Sequence, residues 1–308
     1  MSGAFENVLI IIEIVEFLVG TWGHGFIVLV ICADWIKTKK ITLLDFIFMC
    51  LAVSRISMTC LLLQDSIIMA FYPKMYEINL VVGMTLGFLW SLNNSLSNWC
   101  VTCLSVYYFL KLSNFTHPFF LWLKWRRDRV LFTILLGFFF SFFANLLSIK
   151  WNTFWIHEYL KMEKNKTWKE WLYKNSSFSH QIFLNLDALI PFFVSVTSFF
   201  LLIFSLWRHI RQMMHHTKES GHLNTEVPVR ARNMMISFII LLVVHYLASV
   251  LLIWCYIKLN NSASILIVEM VALLYPSIHS FNIILGNRKV RQTFTNLLKQ
   301  MESYIKRM

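Results

Sequence analysis

Charge is scarce in this chain: 14% of its 308 residues are Asp, Glu, Lys or Arg, where a soluble domain carries about 25%. Hydrophobic residues make up 57% and the mean hydropathy is +0.61, so a bilayer, not water, is the solvent this sequence expects. Helix breakers are also few, with five Pro and nine Gly. The broken half-helices on which transporters build their sites are therefore not evident, and there is no internal repeat or low-complexity tract. No Lys lies between Ser264 and Leu285, which excludes a retinal Schiff base in the last apolar stretch. No nucleophile–base pair and no tight set of metal ligands is present, so neither an enzyme, a cofactor nor a metal site is expected. Six cysteines occur, all in apolar segments. Cys100 and Cys103 form a C-x-x-C, but with no second pair or His beside them they read as two small buried hydrophobes. The net charge of +12 does not point to nucleic acid, because no basic stretch sits in a soluble domain that could fold alone.

What is present is apolar and periodic at the scale of a bilayer. A spanning helix needs roughly 20 mostly apolar residues, and seven stretches qualify, at about 7–33, 43–69, 83–110, 130–149, 182–207, 233–257 and 265–285. The expectation is an all-α membrane protein, a seven-helix bundle forming one domain over 1–308. No basic leader or cleavage site precedes the first apolar run, so that span is expected to stay as an uncleaved anchor. The connections alternate in charge: nineteen Lys and Arg fall on one side and eight on the other. The positive-inside rule then places the N-terminus outside and the C-terminus inside. The long connection at 150–181 is outside and carries two glycosylation sequons, at Asn165 and Asn175. The tail 286–308 has Val290, Phe294, Leu297, Leu298 and Met301 at helical spacing among basic residues, the pattern of a short amphipathic helix on the inner leaflet.

The stretch from Asn98 to Val130 leaves the apolar layer at Lys111 and becomes a short basic loop with Lys124, Arg126, Arg127 and Arg129. Its wording, Tyr108-Phe109-Leu110-Lys111-Leu112-Ser113-Asn114-Phe115, then His117-Pro118 and Leu121-Trp122-Leu123-Lys124-Trp125-Arg126, closely resembles the type 2 (bitter) taste receptors, a family of G-protein-coupled receptors. Leu51-Ala52-Val53-Ser54-Arg55, Tyr275-Pro276-Ser277-Ile278-His279-Ser280 and Leu285-Gly286-Asn287 resemble the same family. So does the end of the fifth span, Phe204-Ser205-Leu206-Trp207-Arg208. Residues 150–181 contain no cysteine, so the outer disulfide of most rhodopsin-like receptors cannot form, and the family likewise lacks it. Two departures stand out. His24 replaces the usual Asn in the first span, and the third inner loop, Ser220 to Pro228, lacks the usual Arg-Asp-Pro.

The resemblance implies a multi-pass receptor of the plasma membrane that detects bitter small organic molecules. It would activate a heterotrimeric, gustducin-like G protein, with calcium release through phospholipase C. Another rhodopsin-like or pheromone-type chemosensory receptor is the alternative, and a seven-helix transporter a further one. Oligomeric state and agonist are not legible. Among the residues themselves, Trp90, Asn94 and Ser97 recur at i, i+4 and i+7 on one helix face. Glu269 enters the seventh span at a similar depth, and an unpaired carboxylate avoids lipid. Trp90, Asn94 and Glu269 fall where the resembling receptors contact ligand. Trp90 is expected to stack on the agonist, Asn94 to orient it, Glu269 to favour basic or hydroxyl-bearing compounds, and His245 with Tyr246 to form the floor. Arg55, His24, Tyr275, Pro276 and His279 are expected to form a network joining helices one, two and seven. Lys111, Leu112, Lys124, Arg126, Arg208 and Arg211 are expected at the G-protein contact. Glu6, Glu13 and Glu16 are expected to snorkel to the outer interface.

Overall fold

The computed structural model describes residues 2–72, 80–113, 115–162, 187–208, 211, 226–258 and 262–306, and these contain helices and no strands. Seven of the helices are long: α1 (Ser2–Thr38), α2 (Leu43–Phe71), α3 (Leu80–Leu112), α5 (Arg127–Met162), α6 (Asp187–Arg208), α7 (Glu226–Lys258) and α8 (Ser262–Gly286). Two are shorter: α4 (Pro118–Trp125) between α3 and α5, and α9 (Arg288–Ile305) at the C-terminus. Among the described residues, α1, α2, α5, α6 and α7 contain stretches long and apolar enough to cross a bilayer. α3 and α8 are enclosed by other helices. Cys100 to Val106 of α3 are all buried, as are Tyr275 to Ser277 of α8.

The helices close a ring. α1 packs between α2 and α8, α2 against α3, α3 against α5, and α7 against α8. α6 completes the circuit: Thr102 Oγ1 of α3 donates to the Pro191 carbonyl at 3.1 Å, and Phe199 meets Phe238 of α7 with centroids 4.6 Å apart. Small residues let α1 approach α8, since a Cβ at Gly20 would lie 2.8 Å from Ser277 Oγ and one at Gly23 would collide with Ser280 Oγ.

Local chemistry sets the helix ends. Thr42 caps α2 by accepting from Asp45 N at 3.1 Å, and its hydroxyl donates back to Asp45 Oδ2 at 2.8 Å. Asn287 caps α9, accepting from Lys289 N at 3.0 Å. Lys289 Nζ then reaches Asp34 Oδ2 of α1 at 2.6 Å and lies 3.8 Å from Asp45 Oδ1 of α2, tying three helix ends together.

Several boundaries differ from the sequence reading. α5 runs to Met162, three turns past the expected end at 149, because no Gly or Pro occurs from Phe138 to Ile190 to stop it. α7 begins at Glu226, inside the expected inner loop. Pro228 falls in its first turn, where no intrahelical N–H bond is lost. The expected basic loop after α3 contains a helix. Pro118 sets its first position, and His117 Nδ1 caps it by accepting from Phe119 N at 3.3 Å. Glu13 does not snorkel: it is fully buried. It shares the face of α1 that carries Leu9, Gly20, His24, Ile27 and Ile31 into the bundle, each buried at helical spacing. The Glu6 side chain, and Asn165 and Asn175 altogether, lie outside the described residues.

Candidate functional site

Three helical stripes face one cleft. Trp90, Asn94, Asn98 and Val101 come from α3, Ala188, Pro191, Phe192 and Ser195 from α6, and Leu242, His245, Tyr246 and Ser249 from α7. The α6 and α7 sets each follow i, i+3, i+4, i+7, which puts four side chains of one helix on a single face. The cleft is narrow, about 20 Å³ of enclosed space, and it opens in part to solvent. Aromatic rings make its walls. Phe192 stacks on Tyr246 at 4.5 Å between centroids, and Trp90 presents an indole whose Nε1 has no partner among the described residues.

The cleft gathers Trp90, Asn94, His245 and Tyr246 from the expected set. Ser97 is buried but does not line it, and the α3 stripe turns instead through Asn98. The backbone of Glu269 lies in the second turn of α8, and its side chain is outside the described residues.

A polar chain missing from the sequence reading braces one side of the cleft. Trp99 Nε1 of α3 donates to Ser141 Oγ of α5 at 2.8 Å, and that hydroxyl donates to Asp187 Oδ1 of α6 at 2.7 Å. Ser95 Oγ of α3 donates to the other oxygen, Asp187 Oδ2, at 3.3 Å. Beside it Ser91 Oγ donates to Asn145 Oδ1 at 2.7 Å. Three helices are thus joined through one carboxylate, immediately before the cleft residue Ala188. One signal for it was available: Asp187 is the single acid of the apolar stretch 182–207, and an ionisable group in a span is a functional hypothesis by default.

Below the cleft lies a buried cation. Arg55 of α2 is fully buried, with its guanidinium carbon 4.2 Å from the ring centroid of Tyr275. Nε, Nη1 and Nη2 have no hydrogen-bond partner among the described residues. Tyr275 sits in an aromatic column, stacked on His245 at 4.6 Å and on His279 at 5.7 Å. His279 in turn meets Phe238 edge-on at 4.6 Å. His245 therefore belongs both to the cleft and to the column over Arg55. On the other side His24 of α1 donates from Nε2 to the Pro276 carbonyl at 3.0 Å. That bond to the backbone of α8 is what the imidazole supplies in place of an amide. The five residues expected as a network on α1, α2 and α8 thus lie together, with the Arg55 guanidinium set against the ring of Tyr275.

At the opposite end of α3 the expected G-protein residues form a basic, aromatic-rich rim. Lys111 Nζ donates to Tyr107 Oη at 3.3 Å, and Leu112 is half-exposed. Lys124 Nζ donates to the Ser113 carbonyl at 3.1 Å. Arg126 lies over Trp122 at 5.0 Å, Arg208 is exposed, and Arg211 lies over Trp207 at 4.0 Å. Cation–π stacking of this kind holds a guanidinium in place while leaving its edge free to bond.

Comparison with known proteins adds a family to this geometry. Residues 1–302 match the family model described as Taste receptor protein (TAS2R). The chain is 40% identical over 309 residues to taste receptor type 2 member 7 of Papio hamadryas, covering 99% of this chain and 97% of that protein. The Macaca mulatta member 7 is likewise 40% identical over the same shares. Taste receptor type 2 member 9 of Homo sapiens is 36% identical over 310 residues, covering 100% of this chain and 98% of that one.

Proposed function

The chain belongs to the taste receptor type 2 family, a family of membrane receptors, and we propose that it is a seven-span, plasma-membrane receptor for bitter small molecules that couples to a gustducin-like heterotrimeric G protein. The observation that carries this reading is the cleft between α3, α6 and α7. Its aromatic walls and few polar groups, Asn94, Asn98, Ser195 and His245, suit a small organic ligand with one or two hydrogen-bonding functions. Trp90 stacks on that ligand, Asn94 orients it, Tyr246 and His245 close the floor, and Glu269 selects basic or hydroxyl-bearing compounds from α8. A ligand pressing on His245 shifts a ring that is stacked on Tyr275. The contact therefore runs from the cleft to the column over Arg55 and down α8. Only a ligand that binds two helix arrangements with different affinity moves the equilibrium between them. On the inner side, Lys111, Leu112, Lys124, Arg126, Arg208 and Arg211 receive the C-terminal segment of the G-protein α subunit, which leads to calcium release through phospholipase C.

The test is a calcium-release screen of bitter compounds in cells supplied with a taste G protein, followed by dose–response curves at matched surface expression. Trp90→Ala is expected to lose potency roughly tenfold or more, the effect of truncating an aromatic anchor. Glu269→Gln is expected to lose potency selectively for basic agonists. Reversing charge at Arg208 and Arg211 together is expected to reduce maximal release without moving potency. Wild-type curves for both Trp90→Ala and Glu269→Gln place the ligand elsewhere.

A further inference from the structure

Arg55 carries a full positive charge at a fully buried position, and no acid among the described residues is paired with it. Its side chain is fully buried, and none of its three nitrogens has a hydrogen-bond partner among the described residues. The elements packed against α2 are α1, α3 and α8. On α2 itself Asp45 and Asp65 each lie ten residues from Arg55, about 15 Å along the axis. α3 has no acid at all. On α1 the facing group is His24; Glu16 and Glu13 precede it by eight and eleven residues, about 12 and 16 Å along the axis, and Asp34, bonded to Lys289, follows it by ten. On α8 the facing groups are Tyr275, whose ring lies against the guanidinium, and His279, whose Nδ1 has no hydrogen-bond partner among the described residues. The acid of that helix, Glu269, precedes Tyr275 by six residues, about 9 Å of rise. Stacking on Tyr275 eases the desolvation of the guanidinium but leaves its charge intact. A lone buried charge in a low-dielectric interior needs a counter-charge or the fold pays for it elsewhere.

We propose that Arg55 is the floor of an internal binding site for a monovalent halide ion, enclosed by α1, α2 and α8. The guanidinium N–H groups and the Tyr275 hydroxyl supply the donors. A single-atom anion is the chemistry that fits, because one negative charge cancels one guanidinium. A divalent oxyanion would leave a net charge behind and would need donors on several sides. On α1 and α2, Ile27, Phe48 and Leu51 are apolar and fully buried. The site is separate from the cleft and is joined to it through the stacked pair His245–Tyr275.

The proposal is tested on the purified full-length receptor in nanodiscs. Thermal unfolding is followed as sodium gluconate is replaced by sodium chloride, and separately by sodium bromide, at constant ionic strength. The melting temperature is expected to rise saturably with either halide in the wild type, and equally in Glu269→Gln. Arg55→Met is expected to lose the dependence. Should that variant fail to fold, Tyr275→Phe, which keeps the ring over the guanidinium and removes one donor, is expected to raise the half-saturating halide concentration roughly tenfold, the worth of one hydrogen bond to an ion. Superimposable melting curves in gluconate and halide overturn the proposal. So does a halide dependence that survives unchanged in Arg55→Met or Tyr275→Phe, or one that appears only in Glu269→Gln, since the last identifies the α8 carboxylate as the counter-charge.

Discussion

Asp187 holds three helices together through one carboxylate. One oxygen accepts from Ser141 and the other from Ser95, so its loss frees two hydroxyls and loosens the Ser141 that accepts from the Trp99 indole. Hydrogen bonds to a carboxylate are worth about 1.5–3 kcal/mol each where they are shielded from water, and Asp187 is only half-buried. Asp187→Ala is therefore expected to destabilise the receptor by about 1–3 kcal/mol, seen as a lower melting temperature in detergent. Ser141→Ala added to it is expected to cost little more, because both residues belong to one chain of bonds. A wild-type melting temperature for Asp187→Ala, or full additivity, removes the brace from the account. This residue also marks the limit of reading from sequence. Its isolation in an apolar run was visible, but Ser141 stands 46 residues away and Ser95 92 residues away, and nothing in the chain's wording pairs them. Trp90 and Asn94 were singled out by their spacing on one helix face together with the family resemblance, and Ser97, which shares that spacing, does not line the cleft. Asn98 was not singled out, since the stripe of α3 that meets α6 is fixed by packing and not by periodicity.

At the scale of the element, the existence of the helices followed from apolar length, and their ends did not. α5 outruns its apolar stretch because nothing stops it. The short helix α4 hides in a basic loop whose His117-Pro118 start is a capping signal of a kind easily lost among charges. Glu13 was misplaced because a carboxylate near a helix end suggests the interface, whereas the buried face of α1 runs through it. Packing between elements makes a sharper prediction. A Cβ on Gly137 of α5 would collide with the outer edge of the Trp99 ring of α3, and that ring is held by its bond to Ser141. Gly137→Ala should therefore push α5 from α3 and cost about 1–3 kcal/mol, the range for overpacking. Stability is expected to return when Trp99→Leu is added. A Gly137→Ala protein as stable as the wild type shows that the two helices do not approach so closely.

For the whole molecule, the open question with the plainest test is which way it faces the membrane. From the excess of Lys and Arg on the loops that carry Lys111 and Arg208 we propose that those loops are cytoplasmic and that Asn165 lies outside and is glycosylated. Asn165→Gln is expected to run faster on a gel than the wild type before glycosidase digestion and level with it afterwards. Equal mobility before digestion, together with labelling of the 111–129 connection from outside intact cells, reverses the orientation.

The bond between Lys289 and Asp34 spans 255 residues and that between His24 and Pro276 spans 252. The first helices made are therefore completed by the last. During synthesis α1 and α2 leave the ribosome with His24 and Arg55 already set among apolar residues, while the aromatic cover from Tyr275 arrives only with α8. Until then the growing chain holds an uncovered guanidinium on a helix bound for hydrocarbon. Any product that stops short of residue 275 keeps it so. The same arginine that is stacked under the cleft in the finished receptor is, in a truncated one, a polar mark inside the membrane by which an incomplete chain differs from a whole one.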